Sequence, residues 1–186
     1  MYGQSLEDLK ANHIYSIKEA FLNKKRHPLA ELRFAYLFEN GYIKIYQPME
    51  DKKRKWISNV PITTLDGKKN IENCCTAWIT KSKKDMMTLR KFYPHVISTQ
   101  NESVGCFSPE NIEYIKKNSS RQILMYDNDS TGVRTSIEIT NKYGFEYCNV
   151  PRKYFDEGIT DWADWVAKYD FKTVRDYLIS KKVLDE

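Results

Sequence analysis

The chain is short of everything that would crosslink it or anchor it. Its four cysteines, Cys74, Cys75, Cys106 and Cys148, show no Cys-x-x-Cys spacing and have no histidine cluster beside them. That pattern argues against a zinc ribbon and against a disulfide framework, so no zinc is expected in this chain and the thiols are expected to be reduced. No apolar run approaches the roughly 20 residues of a membrane span, and Met1-Tyr2-Gly3-Gln4 does not open a signal peptide. Internal repeats and low-complexity segments are missing too. The expectation is a soluble, cytoplasmic protein with no membrane partner. A chain of 186 residues, 41% of them hydrophobic, can form one domain, or a small subdomain plus a larger one, and bury roughly 70% of its unfolded surface.

What is present is unevenly spread. Residues 1–70 hold 13 Lys and Arg against 8 Asp and Glu, whereas residues 71–186 hold 17 of each, so the whole +5 excess lies in the first part. A polyanion is expected to bind there. Lys52, Lys53, Arg54 and Lys55 stand beside Trp56, an interleaving of cations and an aromatic that suits phosphate contacts and base stacking on single strands. The same run, with Met49-Glu50-Asp51 before it, also reads as a solvated hairpin tip of mixed charge.

Leu6 to Asn23 reads as a helix with Ser5 as its N-cap. Phe34–Phe38, Tyr42–Tyr46 and Trp56–Ser58 read as short antiparallel strands, with Asn40-Gly41 as a hairpin signal. Pro61 to Asn73 is polar and contains Asp66-Gly67, the composition of a linker. Beyond it, apolar runs at Thr76–Thr80, Val96–Thr99, Ile123–Tyr126 and Phe145–Val150 alternate with helical stretches at Lys83–Phe92, Pro109–Asn118 and Ser130–Lys142. Thr173–Lys181 closes the chain as a helix. Strands alternating with helices at this spacing predict a parallel sheet covered on both faces.

The most informative segment runs from Ile123 through Asp127-Asn128-Asp129-Ser130-Thr131-Gly132. An apolar strand delivers two aspartates, one residue apart, to its carboxyl end. Open parallel sheets bind ligands at that edge, and carboxylate oxygens are the ligands Mg²⁺ prefers beside substrate phosphates. Asp-Asn-Asp-Ser is also good turn and N-cap chemistry.

Together with Ile79-Thr80-Lys81-Ser82-Lys83-Lys84-Asp85-Met86-Met87-Thr88-Leu89, that segment resembles the Toprim domain of bacterial-type DNA primases and their phage relatives. The family pattern ends one strand in Glu-Gly-x-x-Asp and another in Asp-x-Asp-x-x-Gly. Asp85, Asp127, Asp129 and Gly132 match, while Lys81-Ser82 replaces Glu-Gly, as in a phage primase-like subfamily. Gly41-Tyr42-Ile43-Lys44-Ile45-Tyr46-Gln47-Pro48 and Arg54-Lys55-Trp56-Ile57-Ser58-Asn59 are similar to the basic subdomain preceding Toprim in primase cores. Gly158-Ile159-Thr160-Asp161-Trp162-Ala163-Asp164 is similar to the segment that brings further carboxylates to the metal. The resemblance spans about Leu6 to Lys182.

What it implies is an α/β fold: a Toprim, Rossmann-like parallel sheet flanked by helices over residues 71–186, preceded by a small basic α+β subdomain over residues 1–70. The implied activity is RNA primer synthesis on a single-stranded DNA template from ribonucleoside triphosphates, by metal-dependent nucleotidyl transfer with Mg²⁺ or Mn²⁺. Asp127, Asp129, Asp161 and Asp164 would hold the metal, with Asp127, Asp129 and Glu102 catalytic. Lys81, Lys53, Arg54, Lys55 and Trp56 would bind nucleotide or nucleic acid. Glu102 would supply the carboxylate that Lys81 removes, its alternative being a surface loop residue. Lys81 would pair with Asp127 or Asp129, or grip a phosphate. Asp85 is expected to be more structural than catalytic, and Trp162 and Trp165 to form a packing face. Because an amino-terminal zinc-binding module and a helicase region are not seen in the sequence, the chain is expected to be a fragment or to need such partners, a zinc-binding module and a replicative helicase. If phage-encoded, it would act in the host cytoplasm. A Toprim nuclease and a non-catalytic nucleic-acid-binding module are the alternatives.

Overall fold

The computed structural model describes residues 4–22, 24–38 and 41–185. The chain divides after Pro61 into two compact units. In the first, helix α1 (Leu6–Ala11) begins at a reciprocal cap in which Ser5 and Asp8 bond each other's backbone amides. The helix then stops, although the sequence suggested that it would run to Asn23, a residue outside the described ones. Asn12 closes it and His13 takes a positive φ of 55°. Ile14 and Tyr15 then form β1 (Ile14–Tyr15), paired antiparallel with Tyr36 and Ala35. Pairing with a sheet outweighs helix propensity here, as β-branched and aromatic residues favour.

Strands β2 (Ala20–Leu22) and β3 (Lys25–His27) make a separate hairpin. Strands β4 (Phe34–Leu37), β5 (Ile43–Tyr46) and β6 (Trp56–Ser58) complete a four-stranded antiparallel sheet in the order β1-β4-β5-β6. Ala20, Ala35 and Ile45 form its small core, with Ile17, Leu29, Ile43 and Ile57 packed against them. Of the expected Asn40-Gly41 turn, Asn40 lies outside the described residues, while Gly41 has φ 76°.

The polar stretch expected to be a linker is folded into the second unit. Leu65 and Ile71 are buried in its core, and Asp66 bridges Ser98 in both directions, with N–O distances of 2.9 and 3.0 Å. The second unit is a four-stranded, all-parallel sheet in the order β10-β9-β7-β8, flanked by helices. Its strands are β7 (Cys74–Thr80), β8 (Val96–Ser98), β9 (Ser119–Leu124) and β10 (Glu146–Tyr147). Its helices are α2 (Lys83–Leu89), α3 (Pro109–Asn118), α4 (Ser130–Tyr143), α5 (Trp162–Lys168) and α6 (Phe171–Ser180).

Burial alternates along the strands, so the sheet carries a core on each face. Trp78, Ile123 and Met125 pack with Met86 and Leu89 of α2 and with Trp162, Trp165, Val174 and Leu178 of α5 and α6. Ala77, Ile79, Leu124 and Tyr126 pack on the other face with Ile115 of α3 and Ile139 of α4. The chain leaves β7 across one face and leaves β9 across the other. Between those two strands the loops therefore part, and a crevice opens at their carboxyl ends. No helix among the described residues is long and apolar enough to cross a membrane.

Candidate active site

The crevice collects charge from five places in the second unit. Asp127 follows β9, Lys81 follows β7, Glu102 lies in the loop after β8, Lys84 and Asp85 open α2, and Asp161 caps α5. One carboxylate oxygen from each of Asp85, Asp127 and Asp161 lies within 4.8 Å of the others, and all three residues are buried. Oxygen donors so close together are the chemistry of a hard divalent cation.

Local hydrogen bonds explain how residues so far apart in sequence meet. The Asn128 N–H donates to the Thr160 carbonyl at 3.0 Å, and its side-chain amide donates to the Ile159 carbonyl at 3.2 Å. The aspartate turn is thereby tied to the segment that ends in Asp161. Asn149 donates to the backbone carbonyls of Tyr126 and Asp127 at 3.1 and 2.5 Å. Asp85 accepts from the Ser82 hydroxyl at 2.7 Å and from the Ala163 N–H at 3.2 Å, joining α2 to α5.

Gly132 is required by close approach. A methyl group there would collide with the Asp127 carbonyl oxygen and come within 2.9 Å of its amide nitrogen. This contact gives the Asp-x-Asp-x-x-Gly spacing its physical meaning: α4 starts directly against the backbone of the first aspartate.

Two lysines enter the cluster. Lys81 Nζ pairs with Asp127 Oδ2 and lies 3.2 Å from Glu102 Oε1. Lys84 Nζ donates to Asp161 Oδ2 at 2.6 Å and lies 3.5 Å from Asp164 Oδ1. Burial alone would push both ammonium groups down, but the surrounding carboxylates outweigh it and hold both pKa values above the ordinary lysine range. Burial pushes the Asp85 carboxyl up to about 6, with Asp161 adding to the shift and Lys84 and Lys81 opposing it. Burial likewise pushes Asp127 up to about 9 against the pull of Lys81, with Asp85 and Glu102 reinforcing the rise. Asp164 moves upward for the same reason, by burial and then by Asp161. Of these groups, Asp127 is the one raised far enough to retain a proton through the neutral range.

The residues singled out from the sequence occupy distinct places. Asp127, Asp161, Asp164, Glu102 and Lys81 all take part in this charged network. Asp129 stands outside the three-carboxylate group among the described residues: its Oδ1 accepts from the Gly132 N–H at 2.8 Å and caps α4. Asp85, expected to be more structural than catalytic, braces α5 and also has a carboxylate oxygen within the three-carboxylate group. Lys84 and the tethering Asn128 and Asn149 were missed. Asp85 was visible in the spacing of the first strand motif; the two asparagines carried no signal beyond turn composition.

Lys53, Arg54, Lys55 and Trp56 belong to the first unit. The Asp51 carboxylate accepts from the backbone amides of Lys53 and Arg54, and Gln47 accepts from Ala30 and donates to the Arg54 carbonyl. The tip is therefore a braced turn. Trp56 is 43% exposed, its ring stacked on Tyr46 at 4.4 Å, with the Lys44 ammonium 4.8 Å from its centre. Lys55 lies over Tyr46 at 5.8 Å. An exposed indole backed by a second ring and by cations is a surface on which a nucleobase can stack.

No protein-family model and no curated protein matches this sequence. Among solved structures, the arrangement of a parallel four-stranded sheet between helices is that of DNA primase catalytic cores. The primase fragment of the bacteriophage T7 primase-helicase protein superposes with a TM-score of 0.60 and 18% identity, over 98% of this chain and 72% of that one. The DnaG catalytic core gives 0.67 and 13%, over 97% and 69%. The zinc-binding and RNA polymerase domains of the Aquifex aeolicus primase give 0.60 and 14%, over 92% and 45%. At these identities the likeness is one of fold.

Proposed function

We propose that this chain is the nucleotidyl-transferring core of a phage-type DNA primase, joining ribonucleotides on a single-stranded DNA template. The observation that carries the reading is the buried group of Asp85, Asp127 and Asp161 at the carboxyl edge of a parallel sheet whose fold matches primase cores. Those three carboxylates fit a divalent ion such as Mg²⁺ or Mn²⁺, and Asp129, Asp164 and Glu102 would add negative charge around it. An ion held there supplies positive charge to the triphosphate and to the transferring phosphoryl group. The side chains then have positioning work: Lys81 offers its ammonium to a nucleotide phosphate, and Glu102 with Asp127 keeps that ammonium in place. Little of this chemistry needs a side-chain base, because phosphoryl transfer is promoted mainly by orientation and charge.

The basic first unit, with Lys53, Arg54, Lys55 and Trp56, would hold the template strand. By analogy with the neighbours' organisation as a primase-helicase and as a zinc-binding plus polymerase pair, the partners would be a replicative helicase and a zinc-binding module, in the cytoplasm of the cell or host. The test is incorporation of labelled ribonucleotides on single-stranded templates with Mg²⁺ or Mn²⁺, with and without a supplied zinc-binding module. Primers of defined length that vanish with Asp127→Asn support the reading. Shortening of the template instead of primer growth would show a nuclease, and binding without either reaction would show a template-holding module.

A further inference from the structure

We propose that Lys81 is a permanent cationic member of the acidic cluster, so that the nucleotide-free protein takes up one divalent ion and not two. The inference rests on the metal reading above and sharpens it. Five carboxylates, those of Asp85, Glu102, Asp127, Asp161 and Asp164, meet two ammonium groups, those of Lys81 and Lys84. With every group ionised, three negative charges remain. One Mg²⁺ leaves a single negative charge, whereas a second would turn the cluster net positive.

Geometry points the same way. The Lys81 ammonium bridges Asp127 and Glu102, which come from the ends of two different strands, and its side chain is only 23% exposed. A second ion shared by those two carboxylates would have to take the space and the electrostatic role that this ammonium already has. Cations this close repel, and in a site so largely removed from water that repulsion is weakly screened. Lys84 does the same on the other side, between Asp161 and Asp164. One oxygen each of Asp85, Asp127 and Asp161 lie within 4.8 Å of one another, enough for a single ion that keeps several waters. The fixed ammonium stays with the protein when the ion and nucleotide leave, so the cluster is never without a counter-charge.

The test counts ions. Mn²⁺ is titrated into the nucleotide-free protein and free Mn²⁺ is measured by electron paramagnetic resonance, for the wild type, Lys81→Met and Lys81→Glu. The expected result is one bound ion in the wild type and two in Lys81→Glu, with Lys81→Met taking a second ion more weakly. The thermal midpoint of Lys81→Glu should also rise more on adding Mn²⁺ than that of the wild type, because its extra carboxylate depends on the metal. If Lys81→Glu does not fold without metal, the neutral Lys81→Met carries the comparison. Two ions on the wild type, or one ion on both variants, overturns the proposal while leaving the metal site standing. No saturable ion on the wild type or on either variant overturns the metal reading itself, and this inference with it.

Discussion

The two charged regions of this molecule are built on opposite plans. The basic tip of the first unit is contiguous in sequence, exposed, and held by hydrogen bonds within a few residues of itself. The acidic crevice of the second unit is gathered from residues 81 to 164, buried, and held by asparagines that bond backbone carbonyls from other segments. A surface of the first kind tolerates substitution one residue at a time. A site of the second kind is inseparable from the packing around it, so its function and its stability should fail together.

The sharpest way to break that contrast is through the core. Trp162 is fully buried and follows directly on Asp161. Trp162→Ala should cost about 4 kcal/mol of stability by the usual penalty for deleting a buried aromatic, read from urea unfolding of the second unit. Metal affinity should fall with it, while single-stranded DNA affinity at the basic tip is retained. Loss of both would mean that the two regions are one cooperative site.

A smaller perturbation acts on the aspartate turn alone. Gly132→Ala forces α4 away from the Asp127 backbone, and overpacking of this kind costs about 2 kcal/mol. Mn²⁺ affinity measured by calorimetry should drop. A variant as stable as the wild type with unchanged affinity would mean that the close approach has no role in placing Asp127.

Proton linkage should be confined to the crevice. Asp85 and Asp127 have pKa values raised to about 6 and about 9, so the folded, metal-free chain holds protons that the unfolded chain has released above about pH 4. That contribution to stability is present at acid pH and is lost as pH rises from about 4 through about 6 for Asp85 and about 9 for Asp127. Metal uptake must displace the same protons. Affinity should therefore rise with pH across the neutral range, by up to about tenfold per unit for each proton released, with proton release visible as a buffer-dependent binding enthalpy. Affinity that does not change between about pH 6 and about pH 8 would show that the cluster is already fully ionised.

The least change in stability is expected at the tip. Replacing Lys53, Arg54 and Lys55 with alanine should leave unfolding within about 0.5 kcal/mol per site, as surface substitutions do. It should nevertheless weaken single-stranded DNA binding and lower the slope of log affinity against log salt by roughly 0.7 for each phosphate that the tip no longer neutralises. Weaker binding with an unchanged slope would assign the interaction to stacking on Trp56.

Local chemistry made some elements legible in full. Helix α3 runs from Pro109 to Asn118 as the sequence suggests, because Ser108 caps it and Pro109 fits its first turn; β6 is equally plain. Other elements were settled at long range. The supposed helix to Asn23 breaks at Ala11 because Ile14 and Tyr15 find strand partners, Tyr36 and Ala35, far along the chain. The supposed linker after Pro61 is captured by the edge of the sheet through Asp66 and Ser98. Within the site, Asp127 and Gly132 were readable from spacing. That Asp85 shares an ion-sized space with Asp127 and Asp161 was not, because the carboxylates meet only once Asn128 and Ala163 have fixed the position of α5.

The tether from Asn128 to Ile159 and Thr160 also sets when the site comes into being. Synthesis delivers Asp85 first and Asp127 later, so a growing chain can begin to pair the strands that carry them. Asp161 arrives last of the three, and with it come both the carboxylate that receives Lys84 at 2.6 Å and the carbonyls that hold the aspartate turn on that side. A nascent chain that stops short of Asp161 has all four strands of the sheet and the two aspartates after β9, but not the three-carboxylate group. The three-carboxylate group can therefore come together only once that last carboxylate has been made.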